Sequence, residues 1–219
     1  MCGIAGYLRF DGQPATRERA ARMVATLGHR GPDDSGVFID GPVALGAARL
    51  SIIDVAGGHQ PISVDDGGIT VAQNGEIYNY VELQRELVSQ GARLQTSCDT
   101  EVIGHLYARE RERTFPRLRG MFAVSIWDRR ERQLVLARDR VGKKPLYYCK
   151  RQNELLFGSE AKAILALLEH VPDVSGPALL SFLTFGYVSG DDSIFTGMSR
   201  LEPGTWMKIS AEGRSSADR

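Results

Sequence analysis

Cysteine is scarce in this chain of 219 residues: there are three, Cys2, Cys98 and Cys149, an odd number at wide spacing. That argues against a disulfide framework, and the lack of any Cys-x-x-Cys pair or Cys/His cluster argues against a bound metal. An excess of charge of either sign is also lacking. Lys plus Arg and Asp plus Glu each number 27, a formal net charge of zero, which gives no electrostatic case for nucleic acid or an anionic membrane. No apolar run is long enough to span a bilayer. The N-terminus lacks the basic flank and apolar stretch of a secretory signal. Gly-rich phosphate loops, internal repeats and low-complexity linkers are missing as well. The expectation is a cytoplasmic chain of ordinary globular composition, 42% hydrophobic and 25% charged, long enough for one large domain with a sizeable core.

The periodicity predicts strands over Gly3 to Phe10, Val37 to Ile39, Val43 to Leu50 and Ile69 to Gln73, and helices over Thr16 to Leu27, Tyr80 to Gln90 and Asp99 to Arg113. Thr16 is a candidate cap, and Gly91 closes the second helix. Between them, His29 to Gly36 reads as an irregular loop because of its glycines and proline. Four more strands follow, Met121 to Trp127, Gln133 to Ala137, Leu146 to Lys150 and Glu154 to Phe157. Helices over Ser159 to Leu168 and Pro177 to Phe185 come next, then a last strand, Thr205 to Ile209. A polar, frayed tail is expected from about residue 211. Strand runs separated by helix pairs suggest packed sheets with helices outside.

What is present at the start is chemically suggestive. Cys2 directly follows the initiator methionine, and a small second residue allows that methionine to be removed. Cys2 would then hold a nucleophilic thiol and a free α-amine on one residue. The amine's reference pKa, about 7.7–8.0, suits a general base.

Three further motifs each admit two readings. Asn74-Gly75 is a tight-turn signal, or a pair of donors, side-chain amide and backbone N–H, for the oxyanion of an acyl intermediate. Arg49 is a solvated strand end, or a bidentate fork for a carboxylate. Asp99 is a helix N-cap, or an anchor for a substrate ammonium group.

In order along the chain stand Cys2-Gly3-Ile4-Ala5-Gly6, His29-Arg30-Gly31-Pro32-Asp33, Arg49-Leu50-Ser51-Ile52-Ile53-Asp54, Asn74-Gly75-Glu76-Ile77-Tyr78-Asn79 and Asp99-Thr100-Glu101-Val102. Ala137 to Tyr148, Phe157 to Ala163, Ser193 to Gly197 and Leu201 to Gly204 extend the series. Together these blocks resemble the N-terminal glutaminase domain of glutamine-dependent asparagine synthetases, a class II (N-terminal nucleophile) glutamine amidotransferase. The resemblance spans nearly the whole chain. It implies an α+β fold, a four-layer αββα sandwich of the N-terminal nucleophile hydrolase type.

The resemblance also implies that Cys2 attacks the carboxamide of L-glutamine, with Asn74 and Gly75 at the oxyanion-hole positions. Arg49 would bind the α-carboxylate and Glu76 and Asp99 the α-amino group, with Ile52 and Ile53 in the substrate-binding set. Arg30 lies in a loop near the nucleophile. Lys143 and Lys144 belong to a block expected to face a neighbouring domain. The family continues into a synthetase domain with a Ser-Gly-Gly-x-Asp-Ser loop for ATP, which this chain lacks. No cofactor or metal is therefore expected for residues 1–219, with ATP and Mg2+ confined to the missing synthetase domain. The implied partners are glutamine and a synthetase domain or subunit that receives ammonia, with a homodimer left open. Alternatives are an acceptor such as a sugar acid or a natural-product carboxylate, a non-catalytic module of the same fold, or a thiol-based redox sensor.

Overall fold

The computed structural model describes residues 1–218; Arg219 lies outside them. The elements in chain order are β1 (Gly3–Arg9), α1 (Arg17–Ala25), β2 (Asp34–Asp40), β3 (Val43–Arg49), β4 (Ile62–Val64), β5 (Ile69–Ile77), α2 (Tyr80–Ser89), α3 (Asp99–Glu110) and α4 (Thr114–Arg117). They continue as β6 (Gly120–Asp128), β7 (Gln133–Arg138), β8 (Tyr147–Lys150), β9 (Glu154–Gly158), α5 (Ala161–Leu165), α6 (Gly176–Phe185), β10 (Ser199–Arg200), β11 (Trp206–Ser210) and β12 (Ser215–Asp218).

These strands form two six-stranded antiparallel sheets, in the orders β10-β8-β9-β1-β3-β2 and β12-β11-β7-β6-β5-β4. The strand alternation explains how they stack. On β1, Ile4 and Leu8 join a central core with Trp127 and Ala123 of β6 and Leu134 and Leu136 of β7. The opposite face of β1, Ala5 and Tyr7, packs on Met23, Val24 and Leu27. Val124 and Ile126 of β6 turn outward against Val102, Ile103 and Leu106 of α3. Helices thus cover both outer faces of two stacked sheets, the expected αββα sandwich. A strand buried on both faces needs a near-continuous apolar run, which is what β1 and β6 have.

Several expectations need correction. Asn74-Gly75 does not turn the chain. β5 runs straight through it to Ile77, pairing Asn74 with Ala123 and Gly75 with Phe122. Asp34 to Gly36, expected as loop, begins β2 because β3 supplies a partner for each residue. A Cβ on Gly36 would lie 2.1 Å from the Gln60 carbonyl oxygen, so the glycine marks close approach within a strand. The tail is not frayed through residue 218: Ser215 to Asp218 pair with β11. The helix from Asp99 stops at Glu110, where Arg111 takes φ 56° and a short 3-10 turn follows. The helix expected from Ser159 to Leu168 is the shorter α5. Thr16 caps α1 as expected, its side chain accepting from the Arg19 N–H.

Candidate functional site

One end of the sandwich gathers the end of β3, the end of β5, the start of α3 and the residues preceding β1. There a cavity of about 310 Å³ is lined by Cys2, Arg49, Ile52, Ile53, Asn74, Gly75, Glu76 and Asp99, all of them candidates read from the sequence. Met1, Leu50, Gln60, Cys98, Met121, Lys143 and Lys144 complete its wall. Arg30 is the one candidate outside the lining.

Cys2 is half-buried, and its sulfur accepts a hydrogen bond from the Leu50 N–H at 3.4 Å. The thiol is 3.6 Å from the Leu50 carbonyl oxygen. Arg30 holds the Cys2 backbone instead: its Nε donates to the Cys2 carbonyl at 2.9 Å, while Nη1 donates to Glu160 at 2.8 Å. Burial disfavours the Glu160 carboxylate, but hydrogen bonds from Arg30, Lys162 and His29 outweigh it and hold its pKa at about 2. Arg30 thereby ties the start of β1 to the chain leading into α5.

Asn74 is fully buried. Its Nδ2 is 3.4 Å from the Ser159 hydroxyl oxygen, and its Oδ1 has no partner among the described residues. Ser159 also accepts from the Ile4 N–H at 2.9 Å, so it couples β1, which begins beside Cys2, to Asn74 on the facing sheet. Gly75 has φ 151°, and a Cβ there would lie 2.0 Å from the Met121 carbonyl oxygen. Only glycine fits that approach, and it leaves the backbone at this point open to the cavity.

Arg49 is 3% exposed. Its Nη2 donates to the Ile53 and Asp54 carbonyls at 3.0 and 2.6 Å, and Nη1 to the Val55 carbonyl at 3.2 Å. A guanidinium has five N–H donors in a rigid fork. Three of them fix the loop that presents Ile52 and Ile53, and Arg49 itself lines the cavity. Asp99 is the first residue of α3, not its cap, which is Cys98. The Asp99 Oδ2 accepts from the Ile77 N–H at 2.9 Å and the Gln73 amide at 3.0 Å. This carboxylate therefore locks the end of β5 to the start of α3. Behind it a buried polar network continues: Thr100 donates to Gln73 at 2.9 Å, and Gln60 donates to Thr100 at 3.1 Å.

Burial beside Asp99 pushes the Cys98 thiol up to about 11, so it stays protonated at neutral pH. The three cysteines are free, with no disulfide among the described residues. Lys143 and Lys144, from a block expected to contact a neighbouring domain, border the cavity. The sequence signal for them was available, two cations in a loop with a Gly-x-x-Pro pattern, but their direction depends on tertiary structure. Leu50 and Met121 act or border through the backbone or an apolar chain, which residue type alone does not reveal. No cluster of His, Cys, Asp and Glu suited to a metal occurs among the described residues. No helix among them is long and apolar enough to cross a membrane.

A family model described as a glutamine amidotransferase domain matches residues 1–218. The chain is 37% identical over 218 residues to asparagine synthetase [glutamine-hydrolyzing] 1 of Bacillus subtilis, covering 97% of this chain and 34% of that protein. It is 34% identical to putative asparagine synthetase [glutamine-hydrolyzing] 2 of Methanocaldococcus jannaschii, covering 92% of this chain and 42% of the relative. It thus spans roughly a third to two fifths of the length of these curated relatives. Among solved structures, the glutamine phosphoribosylpyrophosphate amidotransferase of B. subtilis superposes with a TM-score of 0.71 at 22% identity, over all of this chain and 49% of that one. That likeness is one of fold. By the family model and the relatives together, this chain belongs to the glutamine amidotransferase domain family.

Proposed function

We propose that this chain hydrolyses L-glutamine to glutamate and ammonia through Cys2, after removal of Met1. The observation that supports it best is the convergence of Cys2, Asn74, Gly75, Arg49, Glu76 and Asp99 on one cavity, although they come from separate stretches of sequence. An acyl-transfer site needs a nucleophile, donors for the oxyanion and groups that fix the substrate's ends.

In this reading the Cys2 thiolate attacks the γ-carbonyl carbon of glutamine. The carbonyl electron pair moves to oxygen, where the Asn74 amide and the Gly75 N–H stabilise the oxyanion. The thiol proton, taken by the Cys2 α-amine, passes to the departing nitrogen; the C–N bond breaks and ammonia leaves. A γ-glutamyl thioester remains on Cys2. Water then adds to the thioester carbonyl, with the same amine as general base, and the C–S bond breaks to return the thiol and release glutamate.

The free part of the Arg49 fork pairs with the substrate α-carboxylate, while Glu76 and Asp99 face its ammonium group. Ile52 and Ile53, on the loop that Arg49 fixes, close one side. Two charged ends recognised together select an α-amino acid of fixed length, and the position of Cys2 selects the side-chain amide. The ammonia feeds amidation of aspartate in the manner of the asparagine synthetases, with the acceptor chemistry residing in the greater part of those relatives that this chain does not span.

Hydroxylamine offers a direct test, since it intercepts thioesters. The Met1-free protein with L-glutamine and hydroxylamine is expected to form γ-glutamyl hydroxamate, and Cys2→Ser to form none or very little. Hydroxamate formed equally by both proteins would rule out the thioester.

A further inference from the structure

Lys144 is a buried cation with no adequate partner. It is 4% exposed, on the short loop between β7 and β8, and its Nζ donates to the Met1 sulfur at 3.2 Å. That thioether is the one hydrogen-bond partner of Nζ among the described residues, and no carboxylate pairs with it. A thioether is a weak acceptor, and an ammonium group removed from water is costly unless it is matched by an opposite charge. The side chain therefore awaits something anionic in the cavity that it lines.

The loop leaves Lys144 little freedom to turn away. Asp139, fully buried, accepts from the backbone N–H groups of Phe122, Val141, Lys143 and Lys144. Cys2, Glu76 and Lys143 line the same cavity as Lys144, and of the charged groups around its ammonium Arg30 repels it, while Glu76, Cys2 and Asp139 attract it. The Asp139 carboxylate is already engaged by its four N–H donors. Glu76 and Cys2 remain on the cavity side. Burial, aided by Arg30, lowers the Lys144 pKa, although it starts from a high ordinary value.

Removal of Met1 changes this balance. It takes away the thioether that Lys144 contacts, and it creates a free α-amine on Cys2. We propose that Lys144 is an electrostatic positioning residue for Cys2, its ammonium stabilising the thiolate formed when the new α-amine takes the thiol proton. Both residues line the same cavity, and a positive charge beside a thiolate favours it over the thiol. This rests on the reading of Cys2 as an N-terminal nucleophile. It adds a group that stabilises the attacking form of that residue.

The test reads the thiol without glutamine. Iodoacetamide alkylation of Cys2 in the native, Met1-free protein is followed by mass from about pH 5.5 to about pH 9.5, a range spanning the ordinary thiol value. Lys144→Met is expected to move the alkylation profile upward by about one pH unit, about tenfold slower reaction near pH 7. Lys144→Arg keeps the charge and is expected to retain the wild-type profile. Thermal midpoints of both variants report folding, and Lys144→Gln replaces Lys144→Met if the latter does not fold.

A Lys144→Met profile that overlays the wild type would overturn the proposal. So would a Lys144→Arg profile shifted as far as that of the neutral variant. Glutamate release separates this from the reading beneath it. Release that persists in Cys2→Ala removes the nucleophile itself, whereas Cys2-dependent release with an alkylation profile indifferent to residue 144 removes only the role of Lys144.

Discussion

The Asn74 amide nitrogen lies 3.4 Å from the Ser159 hydroxyl oxygen, a bond that joins one sheet to the other where the cavity meets the core. Ser159 already accepts from the Ile4 N–H, so its own proton needs an acceptor. A half-turn of the Asn74 amide supplies one. Oδ1 then takes the Ser159 proton, and Nδ2 occupies the place of the oxygen that now has no partner. That orientation offers a donor to an oxyanion. Asn74→Ala is expected to lower kcat for glutamine hydrolysis by about 10²–10³, the usual cost of one such donor. Ser159→Ala, which frees the amide to rotate and leaves the Ile4 N–H without its acceptor, should lower kcat by about tenfold with KM within about twofold. Steady-state kinetics of the two variants check this, and an unchanged kcat in Ser159→Ala would remove the orienting role.

Gly75 admits no side chain. Its added Cβ would sit 2.0 Å from a backbone oxygen of the neighbouring strand, and the backbone cannot yield without parting β5 from β6. Gly75→Ala should destabilise the fold by about 1–3 kcal/mol, as overpacking does, and abolish hydrolysis. Denaturant titration measures the first effect, and a stability equal to wild type would contradict the close packing.

Cys98 and Cys2 border the same cavity but should react very differently. Burial and Asp99 keep the Cys98 thiol protonated up to about pH 11, whereas Cys2 receives an N–H at its sulfur. Iodoacetamide at pH 8 is expected to label Cys2 at least tenfold faster than Cys98 in the native protein. Peptide mapping by mass reads the ratio. Equal labelling would revive a redox role for Cys98.

Glu160 makes stability acid-sensitive in a defined window. Its folded pKa, about 2, lies below the ordinary 4.5. The fold therefore favours the carboxylate, and the stabilisation is complete above about pH 4.5 and lost as pH falls toward about 2. Glu160→Gln removes this contribution and should flatten that part of the dependence of the thermal midpoint on pH. Parallel melting series from about pH 6 to about pH 2.5 test it, and identical slopes would contradict the Arg30–Glu160 linkage.

Much of the architecture was legible in the sequence because the central strands are buried on both faces. β1 and β6 have no polar face to mislead, and α1 announces itself by Thr16 and the spacing of Ala20, Met23 and Val24. Short or polar strands were not legible. β4 has three residues, β10 has two, and β12 is exposed throughout, so each exists only through its neighbour. At the site, residue types at element ends could be read, but what holds them could not. Asn-Gly usually turns a chain, yet β6 pairs with it here. Asp at a helix start usually caps it, yet Asp99 instead accepts from Ile77 and Gln73 across 22 and 26 residues. Lys144 gave no sign of direction because its burial follows from Asp139 gathering the loop around itself.

The most direct measurement is glutamate release from L-glutamine by the purified, Met1-free protein beside its Cys2→Ala variant. The account predicts steady release by the former and a loss of at least about 10³ in the latter, with its thermal midpoint preserved. Equal release by both proteins, or none by the folded wild type, would contradict it.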